Sequence, residues 1–393
     1  MKHTIVLDIG SSKVASICAG RVGEDGLAVY GANVREYPGY RFGKIIDVDA
    51  LKRAIVESLR STQAECGLRM RDVAVSIPSP FTKLYLGNGS ITFDSKPKRI
   101  TDADIDMLIN NSLPQEPFEG FTLMHSTPYA YVVDGEAVER LQEDALAQTV
   151  KASVSHVYVS DEFMEPVQEA VREFGVCSMC TSSLLGEALL LIPEQARNSR
   201  AVLLDVGYTH TDLCLMDHSA LIAQKTIEVG GLHIMRDVAQ VLDISDTMAE
   251  EIKRRYVFGL DYQDSIELLR TPEGTKSAER TLIQDIIEER AYELCALIHE
   301  AMQEIGAYEV NGEPQVYIAG GGIAHTRGSR EFMERALGFR IKREMPWMPR
   351  LNSPNYASAF GAMEFVLEMD EGSAVVQMQQ SGVMRRIREL FSK

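Results

Sequence analysis

The stretch Asp8-Ile9-Gly10-Ser11-Ser12-Lys13 closes an apolar run, Thr4–Ile9, and offers in quick succession a carboxylate, two hydroxyls and an ammonium group. A carboxylate at the end of a buried strand, followed at once by glycine and hydroxyl residues, can hold a magnesium-bound water while backbone N–H groups face an anion. The lysine adds a point charge suited to the outer phosphates of a nucleotide. The pattern returns in Asp205-Val206-Gly207-Tyr208-Thr209-His210-Thr211-Asp212, again behind an apolar run. A third glycine loop, Gly320-Gly321-Gly322, follows Val316-Tyr-Ile-Ala. There the absent side chains let backbone approach an adenosine phosphate closely. Each loop alone reads equally well as a tight strand-to-strand turn; three in this order point to nucleotide phosphates.

These loops need strands and helices to hold them, and strand-like runs alternate with helix-like ones along the chain, which predicts an α/β protein. Thr4–Ile9, Lys13–Gly20 and Leu27–Arg35 predict an opening meander. A helix is predicted over Asp49–Cys66, where Leu51, Ala54, Ile55 and Leu59 recur at helical spacing behind an Asp cap, and Asp72–Ile77 returns as strand. After Pro78 and Pro80 the texture changes as far as Ser160: an Asn88-Gly89 turn, a helix over Asp102–Ser112, and strands over Met124–Val133 and Ala152–Ser160 read as an inserted subdomain. Helices are expected over Asp161–Phe174 and Ser183–Leu191, flanking a strand at Val176–Thr181. Further helices follow Gly230-Gly231 and Ser245 and span Glu279–Gly306 and Asn355–Glu368. Ala201–Gly207 echoes Thr4–Gly10, an internal repeat that predicts two related domains.

The chain has 393 residues, 45% apolar and 25% charged, enough for two or three cores. That balance excludes a disordered, collagenous or disulfide-built protein. The longest apolar stretches, such as Leu184–Ile192, fall short of the roughly 18 residues of a spanning helix. Met1–Gly10 lacks the layout of an export signal, so cytosolic residence is expected, with the six cysteines reduced in the core. In Cys177-Ser-Met-Cys180 a regular strand would put the two thiols on opposite faces, and no second pair completes a zinc site; both are expected to be core residues. The histidines show no metal spacing, and His210 reads as a turn residue. A net charge of −17 speaks against a nucleic-acid protein.

Val383–Lys393 departs from that acidity, with Arg385, Arg386, Arg388 and Lys393 against Glu389. On a helix, Val383, Met384, Ile387, Leu390 and Phe391 share an arc of roughly 120° that excludes every charge. Such a peptide lies in an anionic membrane interface, joined to the body by a polar linker over Met369–Ser381. Docking on its own body or on a partner is the other use of such a face.

The order of the three loops resembles the phosphate-1, phosphate-2 and adenosine motifs of the actin superfamily, and within it the chain is similar to the FtsA family of bacterial cell division. The insert from Phe81 to about Ser160, Met124-His-Ser-Thr-Pro-Tyr-Ala-Tyr-Val-Val-Asp134, Ala249-Glu250-Glu251-Ile252-Lys253, Asp285-Ile-Ile-Glu288-Glu-Arg290-Ala-Tyr-Glu-Leu294 and the amphipathic end carry the resemblance. It implies an actin-like (ribonuclease H-like) two-domain α/β fold. The first lobe would be 1–80 and 161–185, the inserted subdomain 1C (SHS2-like) 81–160, the second lobe 186–230 and 307–368, subdomain 2B 231–306, the linker 369–382 and the membrane-targeting helix 383–393.

The same resemblance implies ATP and Mg as cofactors. Asp8 and Asp205 would be the catalytic acids, holding the magnesium through water. Gly10, Ser11, Ser12, Lys13, Gly207, Tyr208 and Thr209 would face phosphates, Glu250 and Lys253 the ribose or adenine, and Gly320, Gly321 and Gly322 the adenosine phosphates. Implied partners are FtsZ through its C-terminal peptide, further copies in a filament, anionic lipid and later division proteins, all at the cytoplasmic face of the membrane at the division site. Lys276 and Arg280, in 2B, are candidates for pairing with an acidic peptide. Read without the resemblance, Glu250 and Lys253 are a solvated i,i+3 pair and Lys276 and Arg280 solvated charges.

Two departures from the family pattern bear on chemistry. Tyr208 and Thr209 replace glycines in the phosphate-2 turn, which predicts strain if Tyr208 needs positive φ. The position of a water-orienting Glu in chaperone-type homologues falls near Ser183, with Glu187 one turn on, so ATP hydrolysis, if any, should be slow. A PilM-like actin homologue of a pilus or secretion machine and a small-molecule kinase of the same superfamily are the alternative readings.

Overall fold

The computed structural model describes residues 3–22, 26–94, 96–141, 145–263, 265–271, 274–308, 314–324, 326–344 and 356–371. The chain divides into two compact units, one of Met1–Ser199, Met216–Gln224 and Ser358–Lys393, the other of Arg200–Leu215 and Lys225–Ala357.

In the first unit a five-stranded sheet runs in the order Val176–Ser182, Asp72–Ile77, Thr4–Ile9, Lys13–Val22, Gly26–Glu36. Thr4–Ile9 is parallel to Asp72–Ile77 and antiparallel to Lys13–Val22. Its residues from Ile5 to Ile9 are all buried, as a central strand covered on both faces requires. The helix Val48–Cys66 lies against this sheet. Asp47, rather than Asp49, is its cap: the carboxylate accepts the Ala50 N–H, and Gly67 closes the helix at φ 66. Within its buried stripe, the Ser58 and Thr62 hydroxyls meet Ser16 Oγ at 2.7 and 2.6 Å, so the polar atoms under the apolar residues are paired.

The residues after Pro80 form an antiparallel sheet in the order Glu136–Val138, Phe121–Val133, Thr149–Ser160, Thr82–Thr92. The turn predicted at Asn88-Gly89 does not form; both residues lie inside the strand Thr82–Thr92. Gly87 and Gly89 share one face of that strand. A Cβ would sit 1.8 Å from Ser112 O at Gly87 and 2.0 Å from Leu108 O at Gly89. The glycines are there to admit the helix Asp102–Asn110 against the strand, a long-range demand that a local turn signal mimics. Ile91, Ile109, Val150 and Val154 fill the core beneath.

Val176–Ser182 departs from a regular strand. Its register against Asp72–Ile77 shifts between Cys177 and Met179. The extra residue returns Cys180 to the side of Cys177, and the two buried sulfurs lie 3.6 Å apart, not on opposite faces. The strand passes directly into the helix Ser183–Leu191, whose N-cap Ser182 accepts the Leu185 N–H. This helix crosses the helix Ala357–Glu371 backbone to backbone, since a Cβ on Gly361 would lie 2.3 Å from the Gly186 carbonyl carbon.

The sheet built on Ala201–Val206 runs Ala220–Ile227, Thr211–Asp217, Ala201–Val206, Gln315–Ala319, Ile341–Lys342. Strand for strand this matches the first sheet, with the acid-bearing strand in the middle, an ascending hairpin on one side and two later strands on the other. The helices Gly231–Leu242, Asp246–Arg255 and Arg280–Glu304 follow, with a hairpin, Ile266–Thr271 and Gly274–Glu279, that no sequence signal marked. Among the described residues no helix is long and apolar enough to cross a membrane. The helix expected to end at Glu368 runs to Glu371. The linker beyond it and the amphipathic segment 383–393 lie outside the described residues.

Candidate functional site

In the first unit, Asp8 is the next-to-last residue of its strand and is buried. Burial pushes its carboxyl up from the ordinary range, opposed by the Ser358 and Ser76 hydroxyls and by the Lys13 charge. Ser358 Oγ donates to Asp8 Oδ1 at 2.7 Å. The following turn is closed by the Gly10 N–H on Lys13 O at 2.9 Å. The Tyr37 hydroxyl donates to Gly10 O at 2.8 Å, and the Tyr37 N–H bonds Ser12 O at 3.1 Å. Ser11 is buried, and Ser12 and Lys13 are part-exposed. The first hairpin therefore brings Asp8, Gly10, Ser11, Ser12 and Lys13 together as expected from their spacing. Tyr37, Ser76 and Ser358 support them and carried no signal in the sequence.

In the second unit the Gly207 N–H bonds His210 O at 2.9 Å, the same closure as in the first hairpin. Tyr208 is absent from the residues with positive φ, so the anticipated strain does not arise. The closing bond is made with both loop residues at negative φ, and no glycine is needed between Gly207 and His210.

His210 stands where Lys13 stands in the first turn. It is 7% exposed, with Nε2 3.0 Å from Asp212 Oδ2 and Nδ1 3.0 Å from Thr209 Oγ1. Burial favours the neutral ring, but Asp212, and beyond it Asp205 and Glu228, outweigh burial and raise its pKa. The second turn thus also carries a basic side chain, one the sequence left as a mere turn residue.

Two backbone segments are stitched to this turn by three hydrogen bonds. The Gly231 N–H bonds Gly207 O at 3.0 Å, Leu232 N–H bonds Tyr208 O at 2.7 Å, and Gly322 N–H bonds Val206 O at 2.7 Å. A Cβ on Gly230 would lie 2.6 Å from Gly207 O, on Gly231 2.7 Å from Gly322 Cα, and on Gly322 2.2 Å from Gly207 O. Gly320, at φ 88, would place a Cβ 2.2 Å from Asp205 Oδ1; Gly321 is exposed. Gly230 and Gly231 belong to the cluster although their only sequence signal was a pair of glycines ahead of a helix.

Lys253 is 4% exposed, and its Nζ reaches Gly231 O at 3.1 Å and Glu250 Oε2 at 2.8 Å. Burial lowers its pKa in spite of the Glu250 carboxylate. The pair is tied to the glycine cluster, not spread on a solvated helix face. Lys276 and Arg280 lie elsewhere in this unit: Lys276 pairs with Asp243 at 2.8 Å, and Arg280 with Glu267 at 2.7 Å. Glu187 is buried on the helix Ser183–Leu191. The membrane-facing candidates Val383, Met384, Arg385, Arg386, Ile387, Arg388, Leu390 and Phe391 lie outside the described residues.

In each unit the donor set suits the phosphates of a magnesium nucleotide: a carboxylate near a strand end, then hydroxyls and a basic side chain in the turn that follows. Residues 202–361, which hold the second turn, the glycine cluster and the Glu250–Lys253 pair, match the family model of the cell division protein FtsA. The chain is similar to FtsA over that stretch. FtsA of Staphylococcus epidermidis (strain ATCC 12228) is 22% identical over 383 residues, covering 94% of this chain and 80% of that one. FtsA of Streptococcus pneumoniae is 24% identical over 389 residues, covering 94% and 81%. Among solved structures, the PilM-PilN type IV pilus biogenesis complex aligns with a TM-score of 0.63 at 19% identity, covering 93% of this chain and 98% of that one. MreB5 of Spiroplasma citri bound to ADP aligns at 0.57 and 11% identity, covering 95% and 99%. The chain has the actin-like fold of these structures.

Proposed function

We propose that this chain is an ATP-binding, actin-like cell-division protein that polymerises at the cytoplasmic face of the membrane and tethers FtsZ filaments there, as a platform for later division proteins. The observation that carries the nucleotide part is the glycine cluster on the second turn, with Asp205 at its edge and Lys253 beneath it. Ser11, Ser12, Lys13, Thr209 and His210 are the groups for the phosphates, Glu250 and Lys253 for the nucleoside. Mg bound through water to Asp8 and Asp205 would neutralise the phosphate charge, and its own charge would favour ionised Asp8 against the effect of burial. With no acid at Ser183 to orient an attacking water, the nucleotide acts chiefly on conformation and assembly, and turnover is slow.

The tail supplies the attachment. Basic residues contribute about 1 kcal/mol each near an anionic surface. A body of opposite sign and the ordering of the peptide keep one copy reversible, and a polymer of many copies holds firmly. Phe391→Glu, or deletion of Val383–Lys393, is expected to abolish flotation with anionic vesicles while leaving the thermal unfolding midpoint unchanged. Flotation equal to wild type would place the anchor elsewhere.

The FtsZ C-terminal peptide is an acidic ligand for which Lys276 and Arg280 would exchange their present partners, Asp243 and Glu267. Pull-down with that peptide from the same cell, with and without ATP, is the test: retention that rises with ATP is expected, and no retention in either state would overturn the tethering role. The likeness to PilM favours a second reading, in which the same fold serves a pilus machine. The basic amphipathic tail weighs against it, and the same pull-down separates the two.

A further inference from the structure

The bulge in Val176–Ser182 gives the cysteine pair a geometry that a regular strand could not. Cys177 sits opposite Val73 and Met179 opposite Ala74, so Ser178 is the extra residue and both thiols project to one side. Each is 5% exposed, and the sulfurs are 3.6 Å apart. We infer that Cys177 and Cys180 are a peroxide-reactive dithiol that closes into a disulfide within the strand.

Forming an S–S bond of about 2.04 Å asks each sulfur to move by less than about 1 Å, within the reach of side-chain rotation. The strand pairs on one side only, with Asp72–Ile77, so the adjustment falls at a sheet edge, and the neighbouring Val176 is 47% exposed, which leaves a small oxidant a short path. The two sulfurs are not equivalent. Contact with Cys177, together with burial, holds the Cys180 thiol well above the ordinary range, which suits Cys180 to the resolving step and leaves Cys177 as the attacking sulfur.

The Cys177 thiolate attacks one oxygen of hydrogen peroxide, the O–O bond breaks, and the departing hydroxide takes up a proton to leave as water, with Cys177 now a sulfenic acid. The Cys180 sulfur then attacks the Cys177 sulfur, giving up its thiol proton as the sulfenic hydroxyl leaves as a second water. Two thiols and one peroxide become one disulfide and two waters, the two electrons having passed from the sulfurs to the peroxide oxygens. The closed ring would stiffen a strand that runs into the helix Ser183–Leu191, which meets at Gly361 the helix bearing Ser358, the hydroxyl that donates to Asp8. Oxidation of the pair is thereby linked through packed backbone to the first candidate acid.

The test uses the full chain, reduced, freed of reductant, treated with hydrogen peroxide, alkylated and mapped by mass spectrometry. The peptide holding Cys177 and Cys180 is expected to lose two hydrogens, about 2 Da, to resist alkylation at both positions, and to regain both thiols with dithiothreitol. In Cys180→Ser the reaction should stop at a Cys177 sulfenic acid that dimedone traps. Free alkylation of both residues after peroxide, a bond to Cys18 or Cys66 instead, or progression of Cys177 to a sulfinic acid in the wild type would each overturn the assignment. The wild-type mass map decides the matter even if the serine variant does not fold.

Discussion

Gly322→Ala is expected to lower the unfolding free energy by about 3 kcal/mol and to abolish the thermal shift produced by ATP, the larger loss following from overpacking against rigid backbone. The added methyl would lie 2.2 Å from Gly207 O and 2.8 Å from Val206 O. Neither atom is the end of a flexible side chain. The clash would push the glycine loop away from the second turn and break the Gly322 N–H bond to Val206 O, now 2.7 Å. Gly67→Ala is the matched control. Gly67 caps a helix at φ 66, and its Cβ would meet nothing within 4 Å, so the cost is only that of a left-handed alanine, about 1 kcal/mol. Urea denaturation of the two variants, with and without ATP, measures the difference. If Gly322→Ala loses no more than Gly67→Ala, the three glycine segments are not packed as described.

Acid should weaken the protein through two buried histidines. His156 is fully buried, with Nε2 2.8 Å from Ser112 Oγ and Nδ1 2.8 Å from Ser126 Oγ. His125 is 2% exposed, and neither of its ring nitrogens has a hydrogen-bond partner. Burial lowers both from the ordinary 6.5 to about 4, for His125 with help from the neighbouring His156. The unfolded chain therefore takes up these protons near 6.5 while the folded chain resists them down to about 4. Stability is full above pH 6.5 and is lost as the pH falls through that window, by up to about 3 kcal/mol for each ring.

His125→Leu replaces an unpaired polar ring with an apolar side chain. At pH 7.5 it is expected to stabilise by about 1 kcal/mol and to flatten the fall towards pH 4.5 by roughly half. Urea midpoints at the two pH values decide this. Wild-type and His125→Leu curves that fall in parallel would show that the ring does not resist protonation.

What the chain's order alone determined is local or periodic. Asp8 and Asp205 end apolar runs before a glycine, and that spacing yields two strand-end acids, two turns with the same closing bond, and two sheets with the same strand order. Helix positions followed equally from apolar spacing and caps, because those signals act over one or two turns. The hairpin Ile266–Glu279 gave no such signal: Ile266 and Leu268 are exposed, and only Leu269 among its apolar residues is in the core, so no alternation marks it.

Only tertiary structure decided the rest. Gly87 and Gly89 have turn-forming chemistry but serve a helix that lies on their strand, and Ser358 reaches Asp8 from 350 residues away. The register slip beside Cys177 turned two expected opposite faces into one, and the burial of Lys253 against Gly231 turned a surface pair into part of the cluster. Backbone torsion and side-chain period depend on residues a few positions apart and can be read in order along the chain. Close approach depends on which distant backbone arrives at a position, and that partner is set by the packing of whole strands and helices.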